Sequence, residues 1–227
     1  MIVRLVGSEM CIRDRGCGEN ATILHYTTNQ DVCGDDEVIL IDAGAEFRGY
    51  ASDITRSWPI SGRFTDPQRE IYQIVLDAQL AAIDACQVGN LYTDPHDAAR
   101  TVLAEGLIRL GVISQSLDEA LDPETGDLRK WYMHNTSHWI GLDVHDAGVY
   151  KPGGTPRVLE PGMCLTIEPG LYFGAWRPDV DCPERYANIG IRIEDDVLIT
   201  TDGPVVLTAD CPKSIDDIEN IVGQDLA

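Results

Sequence analysis

The sequence predicts an α+β protein built as one domain, and three observations support this prediction. Stretches in which apolar and polar residues alternate, as is typical of strands, occur in the first and last parts of the chain. Two longer stretches between them repeat apolar residues at helical spacing. The 227 residues are 44% hydrophobic, which is enough for one substantial core, and no shift in composition divides the chain.

The first fifteen residues are expected to be foreign to this domain. Their sequence, MIVRLVGSEMCIRDR, has no helical or strand period, and residues 6–15 look like the in-frame translation of a transposon-end sequencing adapter. A genuine N-terminal arm is the alternative. We therefore expect residues 1–15 to be non-native and the domain to cover residues 16–227.

Strands are predicted next along the chain. Residues 21–28, ATILHYTT, alternate and are rich in β-formers, which predicts a strand that carries His25. Residues 37–45 and 50–57 are two further alternating runs around a turn at residues 47–49. Together these two runs predict a β-hairpin.

The hairpin brings two carboxylates, Asp42 and Asp53, onto one patch of sheet. A turn centred between Phe47 and Arg48 would place them directly opposite each other, and a turn one residue later would make them near-diagonal neighbours. Like charges in either arrangement repel each other. Bound cations would reverse the sign of that interaction, so this pair is the first indication of a metal site.

The first helix is predicted to begin at Asp66-Pro67, with Asp66 as the N-cap and Pro67 at the first helical position. It is expected to end by Gly89-Asn90. The residues predicted to form its buried face are Ile71, Ile74, Val75, Ala78 and Ala82.

A second helix is predicted to begin at Asp94-Pro95 on the same pattern and to end at Gly111. A loop with a short helix is expected over residues 116–126. The residues predicted to face inward from the second helix are Ala98, Val102, Leu107 and Leu110.

The last part of the chain predicts two more strands, over residues 162–172 and 188–200. Alternation in the second of them places Arg192 and Glu194 on one face. A long connection separates the two strands, and a short helix is expected over residues 214–221.

The net charge and the cysteine content of the chain indicate which partners it can bind and in which compartment of the cell it is expected. The formal net charge is −21, which argues against nucleic-acid binding because that needs a cationic surface. No apolar run approaches the roughly 18 residues of a membrane span. The seven cysteines are odd in number and contain no CxxC pair, so we expect reduced thiols in a cytoplasmic protein rather than a disulfide or zinc framework.

Four carboxylates and one imidazole stand out as candidate metal ligands. Glu168 has apolar neighbours, and a half-buried carboxylate without a partner is costly, so metal contact is a natural explanation. A mostly oxygen donor set with one imidazole suits Mn²⁺, Fe²⁺, Co²⁺ or Zn²⁺. The candidate ligands are Asp42, Asp53, His138, Glu168 and Glu194.

Three of the five histidines fall within the stretch HNTSHWIGLDVH. Such clustering favours a functional role for His134, His138 and His145. A helical zinc pair from His134 and His138 is a weaker alternative, because the glutamate of HExxH is missing and Gly141 disfavours a helix. His96 is expected to be an ordinary surface residue.

Five stretches of the chain resemble the catalytic domain of Xaa-Pro aminopeptidases (aminopeptidase P), in the pita-bread metallopeptidase superfamily. They are NATILHY, LIDAGAEFRGYASDITRSWPISGRFTDPQREIY, YMHNTSHWIGLDVHDAGVY, RVLEPGMCLTIEPGLY and IGIRIEDDVLIT. The resemblance implies a pita-bread fold, a curved and mostly antiparallel sheet flanked by helices. It also implies that residues 16–227 form a catalytic domain and that the additional N-terminal domain of full-length members is missing.

The resemblance further implies how two metal ions, in such proteins manganese, would be held, with cobalt, zinc or iron as alternatives. Asp42 is expected to bind one ion through both carboxylate oxygens. Asp53 and Glu194 are expected to bridge the two ions. His138 and Glu168 are expected to complete the second ion.

Further roles follow from the same resemblance. Glu168 is expected to act as the general base toward the attacking water. His145 and His134 are expected to hold the substrate and the developing oxyanion. His25 is expected to line the substrate pocket, and Arg192 to support the site and face the substrate.

The implied reaction is hydrolysis of the bond between an N-terminal residue and a following proline. The expected partners are therefore peptides with proline at the second position, and the full-length protein is expected to be a homo-oligomer. A Xaa-Pro dipeptidase is the nearest alternative, and a methionine aminopeptidase is more distant. A non-catalytic peptide-binding module of the same fold is the alternative from another class.

Overall fold

Antiparallel strand pairs and a pair of packed helices build the fold over residues 13–222, the part of the chain that the structure, a computed structural model, describes. All strand pairings in this range are antiparallel. The strands are β1 (Arg13–Cys17), β2 (Val38–Ala43), β3 (Glu46–Phe47), β4 (Tyr50–Ala51), β5 (Ile54–Pro59), β6 (Cys164–Ile167), β7 (Gly170–Tyr172), β8 (Gly190–Arg192), β9 (Asp195–Thr200) and β10 (Gly203–Val206). The helices are α1 (Asp66–Asp84), α2 (Asp94–Arg109), α3 (Leu117–Ala120) and α4 (Ile215–Ile221), with 3₁₀ turns at Gly18–Thr22, Asp127–Lys130, Pro152–Gly154 and Glu184–Tyr186.

The predicted hairpin is present and forms the first ladder of the fold. Strand β2 pairs with β5, and the same register continues through β3 and β4 to a turn at Arg48-Gly49. Both turn residues have positive φ, 56° and 86°, as a tight hairpin turn requires. This register places Asp42 opposite Thr55, so Asp53 is a diagonal neighbour of Asp42, as the second of the two predicted arrangements requires.

A second ladder forms from the last part of the chain. Strand β6 pairs with β9 and β7 pairs with β8, in one continuous register that places Glu168 across from Glu194. The sequence predicted two unbroken strands here, and the structure interrupts both at these glutamates. The backbone N–H of Glu194 donates instead to Thr55 O at 3.0 Å, which joins the second ladder to the first.

Helix α1 follows the predicted pattern with a small shift at its start. Thr65 rather than Asp66 is the N-cap, and its backbone N–H donates to Gln68 Oε1 at 2.9 Å as half of a capping box. The five residues predicted to form the apolar face of α1 are all buried.

Helix α2 begins and ends near its predicted bounds, but its buried face is rotated by about one residue. Ala99 and Leu103 are fully buried, whereas the predicted Ala98 and Val102 are only half-buried. The shift follows from the close approach of α2 to α1, where Gly106 lies against Ile74. The short helices α3 and α4 lie where the sequence predicted them.

The segment after β1 differs from the prediction. Residues 21–28 were expected to form a strand, but Gly18–Thr22 is a 3₁₀ helix that is followed by turns. Thr22 Oγ1 donates to Glu19 O at 2.6 Å, a local hydrogen bond that competes with strand pairing. The predicted alternation of ATILHYTT therefore does not produce a strand.

The expectation of reduced thiols is wrong for one pair of cysteines. Cys17 and Cys33 form a disulfide that closes the loop carrying His25. Among residues 13–222 the other cysteines, at 86, 164, 182 and 211, are free thiols. Most of the segment predicted to be adapter-derived lies outside the described residues; its last three residues lie in β1.

Within residues 13–222 no helix combines the length and apolarity that crossing a membrane would require.

The contact between α1 and α2 generates a test of the packing. A methyl group on Gly106 would lie 2.6 Å from Ile74 Cγ2, so we expect Gly106→Ala to lower the free energy of unfolding by about 1–3 kcal/mol. In an exposed helix the same substitution would stabilise by about 1 kcal/mol. Denaturant unfolding of Gly106→Ala, Ile74→Ala and the double variant checks this. The double variant should be less destabilised than the sum of the singles, and a stabilised Gly106→Ala would contradict the packing described.

Candidate metal centre

One pocket brings together all nine side chains that the sequence predicted for the site. Its volume is about 230 Å³, and it opens between the two ladders. The predicted residues that line it are His25, Asp42, Asp53, His134, His138, His145, Glu168, Arg192 and Glu194.

The ladders and one loop position the five candidate ligands. Asp42 and Asp53 come from the first ladder, and Glu168 and Glu194 face each other across the break in the second. His138 comes from a segment that runs along β6, where Thr166 N donates to His138 O at 3.0 Å. Residues distant in sequence therefore converge because strand pairing fixes each of them.

Three ligand atoms lie close enough together to share a cation. One atom each of Asp53, His138 and Glu194 lies within 4.8 Å of the other two. His138 Nε2 lies 3.5 Å from Asp53 Oδ2 and also 3.5 Å from Glu168 Oε1. Glu168 therefore joins the same cluster through the imidazole.

Asp42 is held beside this cluster by Arg192. The Arg192 Nη2 group donates to Asp42 Oδ2 at 2.7 Å, and the other oxygen of Asp42, Oδ1, is buried and has no hydrogen-bond partner among the described residues. A buried polar atom without a partner is uncommon in a folded protein. Asp42 Oδ1 is thus suited to a ligand such as a cation.

The carboxylates raise one another's pKa because burial leaves their charges poorly solvated. Burial, followed by the neighbouring acids, raises the pKa of Asp42 to about 8 in spite of Arg192. The pKa of Glu194 is raised well above its ordinary value by burial and by Glu168, and burial raises that of Glu168 as well. Burial disfavours protonation of His138, but its hydrogen bond to Asp53 and the charge of Glu168 outweigh burial and raise its pKa. Divalent cations would relieve this crowding of negative charge, so the residues present fit a metal site.

Thr55 and Tyr172 belong to the site and were not predicted. Thr55 Oγ1 donates to Glu194 Oε2 at 2.5 Å and receives Arg192 Nε at 3.1 Å. Tyr172 receives Arg192 Nη1 on its hydroxyl oxygen at 3.1 Å. The two-residue spacing of Thr55 from Asp53 on a predicted strand was a signal that could have found it.

His134 has a fixed orientation. Its Nδ1 donates to Asn135 O at 2.8 Å, which leaves Nε2 to accept the Tyr172 hydroxyl at 2.8 Å. Burial, and secondarily Arg192, lowers the pKa of His134 to about 3, so the ring is neutral at pH 7. Residues around His134 and His138 form no helix, so the alternative of a helical zinc pair is wrong.

The remaining histidines differ in exposure. The His145 ring centre lies 4.3 Å from that of His138 at the open side of the pocket. His25 is largely exposed, and its Nδ1 lies 3.1 Å from Asp14 Oδ2. His96 is not the ordinary surface residue that was expected: it is half-buried, and its Nδ1 lies 2.8 Å from Thr136 Oγ1, in the segment that leads to His138.

Sequence comparison relates the chain to a family of peptidases. The sequence model of metallopeptidase family M24 matches residues 15–201. The Xaa-Pro aminopeptidase of Haemophilus influenzae is 46% identical over 205 residues, which cover 90% of this chain and 46% of the relative. That of Escherichia coli is 45% identical over 207 residues, 91% of this chain and 46% of the relative. The chain therefore spans about half the length of the curated relatives it matches.

Solved structures give the same relation at the level of the fold. Aminopeptidase PepP of Pseudomonas aeruginosa superposes with a TM-score of 0.88 at 43% identity, over 95% of this chain and 48% of that one. Aminopeptidase P of E. coli with the inhibitor Pro-Leu superposes with a TM-score of 0.87 at 43% identity, with the same coverage of both chains. The predicted α+β fold of the pita-bread type is thereby confirmed.

The raised pKa of Asp42 predicts how the metal-depleted chain responds to pH. The folded state binds the proton of the Asp42 carboxyl more tightly than the unfolded chain does. The contribution of this proton to the free energy of unfolding is therefore present below pH 4 and is lost as the pH rises toward about 8. We expect the free energy of unfolding of Asp42→Asn to fall less steeply than that of the parent chain between pH 5 and pH 8. The expected difference is on the order of 1 kcal/mol per pH unit.

Denaturant unfolding in the presence of a chelator measures this difference. Asp202→Asn, at an exposed turn, is the control and should follow the parent chain. Excess Mn²⁺ should abolish the loss of stability of the parent chain toward pH 8. If the free energies of unfolding of the parent chain and of Asp42→Asn depend on pH in the same way, the raised pKa of Asp42 is contradicted.

Proposed function

Since the chain belongs to metallopeptidase family M24, we propose that it is the catalytic domain of a dinuclear-metal aminopeptidase that hydrolyses the bond between an N-terminal residue and a following proline. The observation that carries the proposal is the convergence of four carboxylates and one imidazole in a single pocket. Peptides with proline at the second position are the proposed substrates. A homo-oligomeric full-length protein in the cytoplasm is part of the same proposal.

The proposed ligand assignment is the one that the resemblance implies, and it is supported by the closeness of Asp53, His138 and Glu194. Asp42 would hold one ion, Asp53 and Glu194 would be shared between the two ions, and His138 and Glu168 would complete the second. The donors are mostly hard oxygen atoms, which suits two Mn(II) ions, with Co, Zn or Fe as alternatives. When bound, a pair of such ions polarises the scissile carbonyl and lowers the pKa of the attacking water.

Three side chains of the pocket are proposed to transfer a proton or to donate hydrogen bonds to the substrate. Glu168 is proposed as the general base, because burial raises its pKa and so makes the carboxylate a stronger base. Neutral His134, whose Nδ1 lies 3.9 Å from Glu168 Oε2, is proposed to hold the substrate or the developing oxyanion, for which its Nδ1–H would turn from Asn135 O toward the pocket. His145 is proposed for the same purpose from the open side of the pocket.

Two further residues complete the proposed substrate pocket. His25 lines the mouth of the pocket, on the loop that the Cys17–Cys33 disulfide closes. Arg192 donates to Asp42 Oδ2, so Oδ1 is the oxygen left for metal in this arrangement, whereas the resemblance implied that both oxygens bind. Its pKa is raised far above the ordinary value by Tyr172 and the surrounding acids, so it remains a cation under all working conditions.

A metal site of this kind suits the bond before proline for a physical reason. That bond is a tertiary amide with no N–H, so a peptidase that grips substrate through this N–H cannot use it. Polarising the carbonyl needs no such donor. The proposal of proline at the second position therefore agrees with the chemistry that the residues offer.

The experiment that tests the function combines metal titration with hydrolysis. We expect the chelator-treated chain to bind two Mn²⁺ ions and, when loaded, to release the first residue from a Xaa-Pro-Xaa peptide faster than from the same peptide with alanine in place of proline. Isothermal titration calorimetry and chromatography of the products are the measurements. A Xaa-Pro dipeptide cleaved faster than the longer peptide would favour the dipeptidase alternative. A chain that binds no metal would favour the non-catalytic module.

The role of Glu168 predicts a separation of turnover from folding. We expect Glu168→Gln to lower kcat by at least 100-fold, because general-base catalysis contributes about 10²–10⁴-fold, while the thermal midpoint of the metal-free chain changes little or rises. Glu105→Gln, on the exposed face of α2, is the matched control and should leave both quantities unchanged. A Glu168→Gln variant that turns over at the parent rate would exclude this role.

A further inference from the structure

A buried ion pair lies directly behind the candidate metal centre. Arg56 Nη2 and Asp195 Oδ1 are 2.7 Å apart, and the two residues are 6% and 0% exposed. Asp195 also accepts hydrogen bonds of 2.7 Å from Thr208 Oγ1, Gln79 Nε2 and Lys213 Nζ. Four donors thus satisfy this carboxylate, which faces away from the pocket and is not among its lining residues.

The other donors of Arg56 reach the backbone on which the site is built. Its Nη1 donates to Glu194 O at 2.5 Å and to Thr55 O at 2.9 Å. These are the two residues whose side chains meet in the pocket, where Thr55 Oγ1 donates to Glu194 Oε2. One guanidinium therefore fixes the backbone of a candidate bridging ligand and of the residue that orients it.

Arg56 also ties a third segment to the same point. It donates to Cys211 O at 2.8 Å and, through Nε, to Pro212 O at 3.0 Å. Thr208 and Lys213 reach the same cluster through Asp195. This segment lies beyond residue 201, where the match to the family's sequence model ends.

We infer that Arg56 and Asp195 are positioning residues that hold Glu194 in place for metal binding, and that residues 208–213 complete this support. The inference rests on the proposed function, which assigns Glu194 as a metal ligand. Metal ligands have to stay within about 0.2 Å of their ideal distances, and changes to the groups that orient them typically cost 10–100-fold in metal affinity. A guanidinium on the ligand's own carbonyl is such an orienting group.

Arg56 and Lys213 offer complementary variants for the test. Arg56→Lys keeps the positive charge, but one ammonium group cannot reach all the partners that the three guanidinium nitrogens contact. These partners are Thr55 O, Glu194 O, Asp195 Oδ1, Cys211 O and Pro212 O. We expect it to weaken Mn²⁺ binding by about 10–100-fold. Lys213→Met removes one donor to Asp195, and we expect it to weaken binding by a smaller factor that Lys213→Arg restores.

The matched control is a variant that lowers the stability of the fold but leaves the groups that position Glu194 unchanged. Ile74→Val removes one methylene from the α1–α2 core at a residue that does not line the pocket, and it lowers stability by about 0.5–1.5 kcal/mol. It should leave Mn²⁺ affinity unchanged. The measurement is calorimetric titration of the chelator-treated chains with Mn²⁺, with denaturant unfolding of each variant alongside.

The outcomes separate this inference from the proposed function. Absence of Mn²⁺ binding by the parent chain would overturn both. Normal binding by the parent chain together with unchanged affinity in Arg56→Lys and Lys213→Met would overturn the inference alone, as would an equal loss of affinity in Ile74→Val. If Arg56→Lys does not fold, the two Lys213 variants decide the question. Weaker Mn²⁺ binding in Lys213→Met that is restored in Lys213→Arg supports the inference, and unchanged Mn²⁺ binding in Lys213→Met overturns it.

Discussion

Crowding of buried negative charge is the constraint on which this structure depends. Asp42, Asp53, Glu168 and Glu194 share one pocket, where Arg192 is the one guanidinium and His138 the nearest imidazole among the described residues. Burial, together with the neighbouring acids, raises the pKa values of Asp42, Glu168 and Glu194. Such an arrangement is unfavourable by itself and becomes favourable once cations enter. The strands around it serve to keep the acids close despite their repulsion.

The acids are kept close because the strands of the second ladder are interrupted at two of the candidate metal ligands. Glu168 and Glu194 sit at matching breaks of one ladder, and at the break Glu194 turns its backbone N–H to Thr55 on the other ladder. A ligand in the middle of an unbroken strand would be confined to one face of one sheet. At the break, its side chain reaches the space between two strand pairs. The buried Arg56 then replaces the support that regular pairing would have given to the same backbone.

Local features of the fold were predictable from the sequence, and features fixed by distant contacts were less so. The hairpin with Asp42 and Asp53 and the buried face of α1 follow from neighbouring residues, so pattern reasoning found them. The turn position, and hence the diagonal relation of the two acids, needed the backbone at Arg48-Gly49 to be known. The strand expected around His25 was wrong because a side-chain hydrogen bond within Gly18–Thr22 and the Cys17–Cys33 link shape that segment, and alternation does not reveal either. Pattern reasoning indicated the candidate ligands and the histidine cluster, and the resemblance supplied their detailed roles and that of His25. The structure brings these nine residues together, whereas Thr55, Tyr172 and the setting of His96 became visible only in three dimensions.

The separation of the site residues along the chain has a consequence for the order of events during maturation. Thr55 and Glu194 meet across 139 residues, and Arg192 reaches Asp42 across 150. The ligands of the proposed site come from both ladders and from the loop of His138, unlike those of a zinc finger, which are close in sequence. Ordering so long a loop carries an entropic penalty that must be met by core packing before any ion can bind. A metal ion held by these residues would therefore bind to a protein that has already folded, and the polypeptide would reach its native topology without it.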